Sequence, residues 1–122
     1  MANILIVDDS STMRKIISRS LRQAGLPVDD ILEGGDGIEG LNVLQTSGKT
    51  VDLILSDINM PNMDGLEFVK AVRANGFSMP IVMITTEGGE DVIADAIASG
   101  AKDSIKKPFT PEQLNEKLGA LL

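Results

Sequence analysis

Histidine, cysteine, tryptophan and tyrosine are all absent from the 122 residues, and the only aromatic side chains are Phe68, Phe77 and Phe109. Without cysteine there is no disulfide, iron–sulfur site or cysteine-bound zinc. Without histidine there is no Ser-His nucleophile pair, no imidazole metal cage and no phosphohistidine on this chain. Three phenylalanines are too few for a base-stacking platform. Long hydrophobic runs are missing as well: the longest, Ile4–Val7 and Ile81–Ile84, are four residues, where a membrane span needs roughly 18. The start lacks a basic stretch followed by an apolar one, so we expect a cytoplasmic protein that meets no membrane. Basic residues number 11 against 18 acidic, a net charge of −7, which disfavours nucleic acid, since affinity for it rests on phosphate neutralisation by Lys and Arg. The chemistry left is that of carboxylates, hydroxyls, lysines, arginines and the backbone, a donor set suited to hard cations such as Mg²⁺.

Five short apolar runs punctuate the chain: Ile4–Val7, Ile31–Leu32, Val51–Leu55, Ile81–Thr85 and Ser104–Ile105. They start roughly 20 to 30 residues apart, the rhythm of a βα unit. Helical spacing fills the intervals. Met13, Ile16, Ile17 and Leu21 share a face, with Ser11 or Thr12 as cap and Gly25 and Pro27 as stop. Further faces are Ile38/Leu41/Leu44, Leu66/Val69/Val72, Ile93/Ala96/Ile97 and Leu114/Leu118/Leu121, the last capped by Thr110 with Pro111 at the first position and Gln113 near the capping-box position. Continuously apolar strands alternating with helices predict an α/β fold, a five-stranded parallel sheet with helices on both faces. The length suits one domain, 1–122.

In such sheets ligands bind outside the carboxyl ends of the strands. Asp8 and Asp9 follow the first run and Asp57 the third; the fourth ends in Thr85, and Lys106, Lys107 and Pro108 follow the fifth. Three converging carboxylates repel unless a cation neutralises them. Mg²⁺ does so and keeps ligand positions open for a phosphoryl group; Asp is a competent nucleophile toward phosphorus; a hydroxyl and an ammonium stabilise the transferred charge. Singly, each feature also reads as ordinary turn, cap or surface chemistry. The conjunction carries the argument.

With these motifs assembled, the chain resembles a response-regulator receiver domain of two-component signalling over essentially its whole length. The resemblance rests on Ile-Val-Asp-Asp-Ser-Ser-Thr-Met-Arg at 6–14, Ser-Asp-Ile-Asn-Met-Pro-Asn-Met-Asp-Gly-Leu-Glu at 56–67, Met-Ile-Thr-Thr at 83–86 and Lys-Lys-Pro-Phe at 106–109. The second stretch is most similar to the chemotaxis type of that family. The resemblance implies strand order 2-1-3-4-5 (flavodoxin-like), Asp57 as phosphoacceptor, and Mg²⁺ held by Asp9, Asp57 and the Asn59 backbone carbonyl, with Asp8 acting largely through water. It implies that the Thr85 hydroxyl and Lys107 contact the phosphoryl group, with Lys106 uninvolved, that the bond from Lys107 to Pro108 is cis, and that Asn59 and Glu87 tune dephosphorylation. Its expected partners are a histidine kinase as phosphodonor and a downstream protein such as the flagellar motor switch; the chain itself would be a monomer, and no enzyme beyond its own phosphorylation and dephosphorylation.

One position departs from the family. Where many receivers carry an aromatic residue three positions before the lysine, this chain has Ser104. Signalling is therefore expected to leave mainly through the loop after Thr85, where Gly88 and Gly89 make the backbone permissive. Within the receiver reading, a phosphorelay intermediate or a phosphate-sink adaptor competes with a chemotaxis regulator. A Mg²⁺-dependent phosphatase with an Asp nucleophile is a remoter alternative, because a general acid two residues after the nucleophile would be needed and Asn59 stands there. A flavodoxin-like cofactor carrier is disfavoured by Asp8 and Asp9, which would repel a bound phosphate.

Overall fold

The computed structural model describes residues 2–86 and 89–122. In chain order the elements are β1 (Ala2–Val7), α1 (Ser11–Gln23), β2 (Val28–Gly34), α2 (Gly37–Thr46), β3 (Leu53–Ser56), α3 (Gly65–Ala74), β4 (Ile81–Thr85), α4 (Glu90–Ser99), β5 (Asp103–Lys106) and α5 (Pro111–Leu118), closed by a 3₁₀ turn at Gly119–Leu121. All strands are parallel in the order β2-β1-β3-β4-β5, as expected.

The uninterrupted apolar strands reflect two cores rather than one. Ile4 and Ile6 of β1, Leu53 and Leu55 of β3, and Val82 and Ile84 of β4 pack with Ile17 and Leu21 of α1 and Leu114 and Leu118 of α5. Their alternates Leu5, Val7, Ile54, Ile81 and Met83 point the other way, onto Leu44 of α2, Phe68, Val69 and Val72 of α3, and Ala96 of α4. Period-two alternation thus serves both faces, so neither face of a central strand is left for polar residues.

Several local expectations needed correction. Ser10, not Ser11 or Thr12, caps α1, its side chain accepting from the Met13 N–H. Ile16, Ile38 and Ile97 are 43%, 53% and 48% exposed; these helices bury a stripe narrower than helical spacing alone suggests. Val51 is buried but precedes β3, and β2 runs well beyond Ile31–Leu32. The α5 capping box forms as expected, Thr110 and Gln113 bonding reciprocally.

Register brings the chemistry together. Val7 lies opposite Ser56, and Thr85 opposite Lys106. The Asp57 N–H donates to the Val7 carbonyl at 2.9 Å, and the Lys107 N–H to the Thr85 carbonyl at 2.7 Å. Asp8 and Asp57 therefore leave the sheet at one level on adjacent strands, and Lys107 leaves one strand beyond Thr85.

Candidate functional site

Asp8, Asp9 and Asp57 form a single acidic cluster: one carboxylate oxygen from each lies within 4.8 Å of the others. Their surroundings differ. Asp8 is buried; its Oδ1 accepts from the Ser10 N–H at 2.9 Å and its Oδ2 lies 3.2 Å from Lys107 Nζ. Asp9 is exposed. Asp57 is half-buried, its Oδ1 accepting from the Ile58 N–H at 2.7 Å and its Oδ2 3.8 Å from Lys107 Nζ.

Burial pushes the Asp57 carboxyl above the ordinary carboxylate value; the Ile58 N–H and the Lys107 ammonium oppose this, and the charges of Asp8 and Asp9 add to it. Three clustered carboxylates fit a hard divalent cation, and oxygen donors of this kind suit Mg²⁺. Among the described residues this is the one cluster of three such side chains able to hold a metal.

Sharp backbone geometry presents Asp57. The chain turns from β3 into α3 within eight residues, and the Gly65 N–H closes the loop onto the Ile58 carbonyl at 2.7 Å. A Cβ at Gly65 would lie 2.3 Å from the Asp57 carbonyl oxygen and 2.7 Å from the Ile58 Cα, so only glycine permits this approach. Asn62 adopts φ 67°, and its side-chain amide donates to Asp36 at 2.7 Å. Asp36 also caps α2 through the Glu39 N–H, so this buried carboxylate ties the β2–α2 loop to the β3–α3 loop. These bonds hold the Asp36 carboxyl below its ordinary value, the Glu39 N–H first and the Asn62 amide second.

The structure gathers Asp8, Asp9, Asp57, Thr85 and Lys107 at one sheet edge. Thr85 is buried at the end of β4; with Ile58, Asn59, Gly89 and Val92 it lines a cavity of about 50 Å³. Asn59 is exposed. Lys106 is exposed, and the Lys107–Pro108 bond is cis. Ser104 is half-buried beside a shallow groove of about 330 Å³ between β5 and α5. Glu87 and Gly88 lie outside the described residues.

Sequence reasoning missed two contributors, Arg14 and the Asp36–Asn62 tie. Only the capping half of the second had a signal: Asp36, with Glu39 three residues on, is a helix-start pattern, but nothing local marks the bond to Asn62. Arg14 had none, because its partner Glu33 is 19 residues away.

Comparison with known proteins agrees with this geometry. The family model described as "Response regulator receiver domain" matches residues 4–119. A "Chemotaxis protein CheY homolog" of Campylobacter jejuni is 47% identical over 121 residues, covering 98% of this chain and 91% of its own. "Chemotaxis protein CheY1" of Helicobacter pylori is 46% identical, covering 98% and 95%. The solved structure of the chemotaxis response regulator CheY4 of Vibrio cholerae superposes with a TM-score of 0.84 at 40% identity, covering 100% of this chain and 99% of that one.

Proposed function

The chain belongs to the response regulator receiver family, the phosphorylation-activated switches of two-component signalling, and from that premise we propose that Asp57 takes a phosphoryl group from a histidine kinase, with Mg²⁺ as cofactor. The observation that carries the assignment is the acidic cluster facing Lys107 Nζ, 3.2 Å from Asp8 and 3.8 Å from Asp57. The chain itself has no histidine, so the phosphoryl group must come from another molecule.

Of the three carboxylates, Asp57 is best placed to react. Asp8 is buried and engaged by Ser10 and Lys107. Asp57 has Oδ1 held by the Ile58 N–H, which orients the carboxylate and leaves Oδ2 on the Lys107 side. When Oδ2 bonds to phosphorus, the bond to the donor imidazole nitrogen breaks and its electron pair stays on that ring. Lys107 then lies within reach of a phosphoryl oxygen, and the Thr85 hydroxyl supplies a neutral donor from the next strand. Asp9, Asp57 and the Asn59 carbonyl, with Asp8 largely through water, would hold Mg²⁺, which would supply the remaining neutralisation of carboxylate and phosphoryl charge.

The output is a change in partner binding. The names of the relatives from Campylobacter, Helicobacter and Vibrio favour chemotaxis, and the target we propose within it is a motor-switch protein. A single receiver domain over 1–122, acting as a cytoplasmic monomer, completes the proposal; among the described residues no helix is long and apolar enough to cross a membrane. The test is binding with and without the phosphoryl mimic beryllofluoride. A motor-switch partner captured only in its presence supports the chemotaxis role. Transfer onward to a histidine of a second protein identifies a phosphorelay, and neither outcome together with rapid phosphate loss identifies a sink.

A further inference from the structure

The loop between β1 and α1 carries two of the three clustered carboxylates, and one of its fastenings engages no carboxylate of the cluster. Arg14, in the N-terminal half of α1, donates from Nη1 to the Asp8 backbone carbonyl at 2.6 Å and from Nε to Glu33 Oε1 at 2.9 Å. Its side chain is only 18% exposed, whereas that of Glu33 is 50% exposed. A cation this near a helix N-terminus opposes the macrodipole, and α1 has no acidic residue in its first turn to offset it. The macrodipole therefore does not favour a cation at this position, although arginine is a good helix former in itself. The contacts with Asp8 and Glu33 are what it serves.

Backbone bonds also hold the loop, the Asp8 N–H donating to the Gly34 carbonyl at 3.1 Å, but two of its side-chain bonds run through a group that metal binding also needs. Ser10 and Lys107 both engage the Asp8 carboxylate. Arg14 engages the Asp8 carbonyl instead, so its hold does not compete for ligand oxygens. A guanidinium is suited to this because its planar fork addresses two acceptors at once, which an ammonium cannot do with the same alignment. Resting on the reading that the cluster takes Mg²⁺, we propose that Arg14, aimed by Glu33, is a positioning residue for that site: it fixes the peptide between Asp8 and Asp9 so that both carboxylates face Asp57.

The sign of the effect separates this role from a simple charge effect. Removing a nearby cation strengthens cation binding by Coulomb's law; removing a positioning residue weakens it. Calorimetric titration with Mg²⁺ alone, alongside thermal unfolding, reads the difference. Arg14→Met is expected to weaken Mg²⁺ binding about tenfold, the scale found for residues that orient metal ligands, with little change in melting temperature. Arg14→Lys should fall between Arg14→Met and the wild type. Glu33→Gln, which keeps an acceptor, should stay near the wild type, and Glu33→Met should weaken binding without adding to Arg14→Met in the double variant. Unchanged or tighter binding in a folded Arg14→Met protein overturns the proposal. Should that variant not fold, wild-type affinity in both Arg14→Lys and Glu33→Met overturns it equally. Asp9→Asn tests the underlying site: if it binds Mg²⁺ like the wild type, the metal-site reading falls and takes this one with it. If Asp9→Asn loses Mg²⁺ while Arg14→Met keeps it, only the role of Arg14 is refuted.

Discussion

Lys107 Nζ stands 3.2 Å from Oδ2 of Asp8, a contact between residues 99 positions apart in which both side chains are almost fully buried. The same ammonium is 3.8 Å from Asp57, so it partly neutralises the acidic cluster and stands where a phosphoryl group on Asp57 would develop charge. These two tasks predict opposite effects of one substitution. Lys107→Gln should tighten Mg²⁺ binding several-fold, because a competing positive charge is gone, and should slow phosphorylation by a small-molecule donor by about tenfold or more. Calorimetry and a time course of phosphoprotein formation measure the two separately.

Asp57 itself costs the fold stability. Its carboxyl is raised above the ordinary 3.8 by burial, so ionising it disfavours the folded state. That cost is absent below the ordinary value and complete above the raised one. In EDTA, Asp57→Asn should melt a few degrees above the wild type at neutral pH, and the gap should close as pH falls below 3.8. Adding Mg²⁺ at neutral pH should also narrow it, by stabilising the wild type selectively.

Asp36 behaves in the opposite sense. Its carboxyl is lowered by the Glu39 N–H and the Asn62 amide, so the ionised form supports the fold above the ordinary value of 3.8, and this support is lost as pH falls through the lowered one. Asp36→Ala removes both the α2 cap and the tie to the β3–α3 loop and should cost about 1–2 kcal/mol at neutral pH. Urea denaturation at neutral and acidic pH checks both the size and the disappearance of the difference.

The loop after Asp57 is intolerant at one glycine, and the entry to α4 is tolerant at another. Gly65→Ala places a methyl group 2.3 Å from the Asp57 carbonyl oxygen, a backbone atom that cannot swing aside, and should cost about 2–3 kcal/mol with loss of Mg²⁺ binding. Gly89 has an ordinary φ of −64°, and a Cβ there meets only Val92 Cγ2, at 3.7 Å. Gly89→Ala should leave stability within about 0.5 kcal/mol of the wild type. Denaturation curves and Mg²⁺ titrations of the two variants make the comparison.

Much of this molecule is legible in its residues, and the reason is physical. A parallel sheet buried on both faces writes itself as apolar runs, and its ligands gather at strand carboxyl ends, so Asp8, Asp9, Asp57, Thr85 and Lys107 can be brought to one edge from their positions alone. Edge strands are harder: β5 carries a single buried residue, Ile105, so Ser104–Ile105 is a faint signal for Asp103–Lys106. Helical spacing alone overstates the buried face at Ile16, Ile38 and Ile97, because it marks which residues share a face but not how wide a stripe the neighbours cover. Contacts such as Arg14 with Glu33 and Asp36 with Asn62 join residues 19 and 26 positions apart and depend on side-chain geometry that no local pattern encodes.

The central claim is that Asp57 is the phosphoacceptor of a Mg²⁺-dependent switch. Intact-mass analysis after incubation with Mg²⁺ and a small phosphodonor tests it most directly. One acid-stable, base-labile phosphoryl group should appear on the wild type, fail to appear in EDTA, and be absent from Asp57→Asn. An adduct that persists in Asp57→Asn, or a wild type that stays unmodified, contradicts the account.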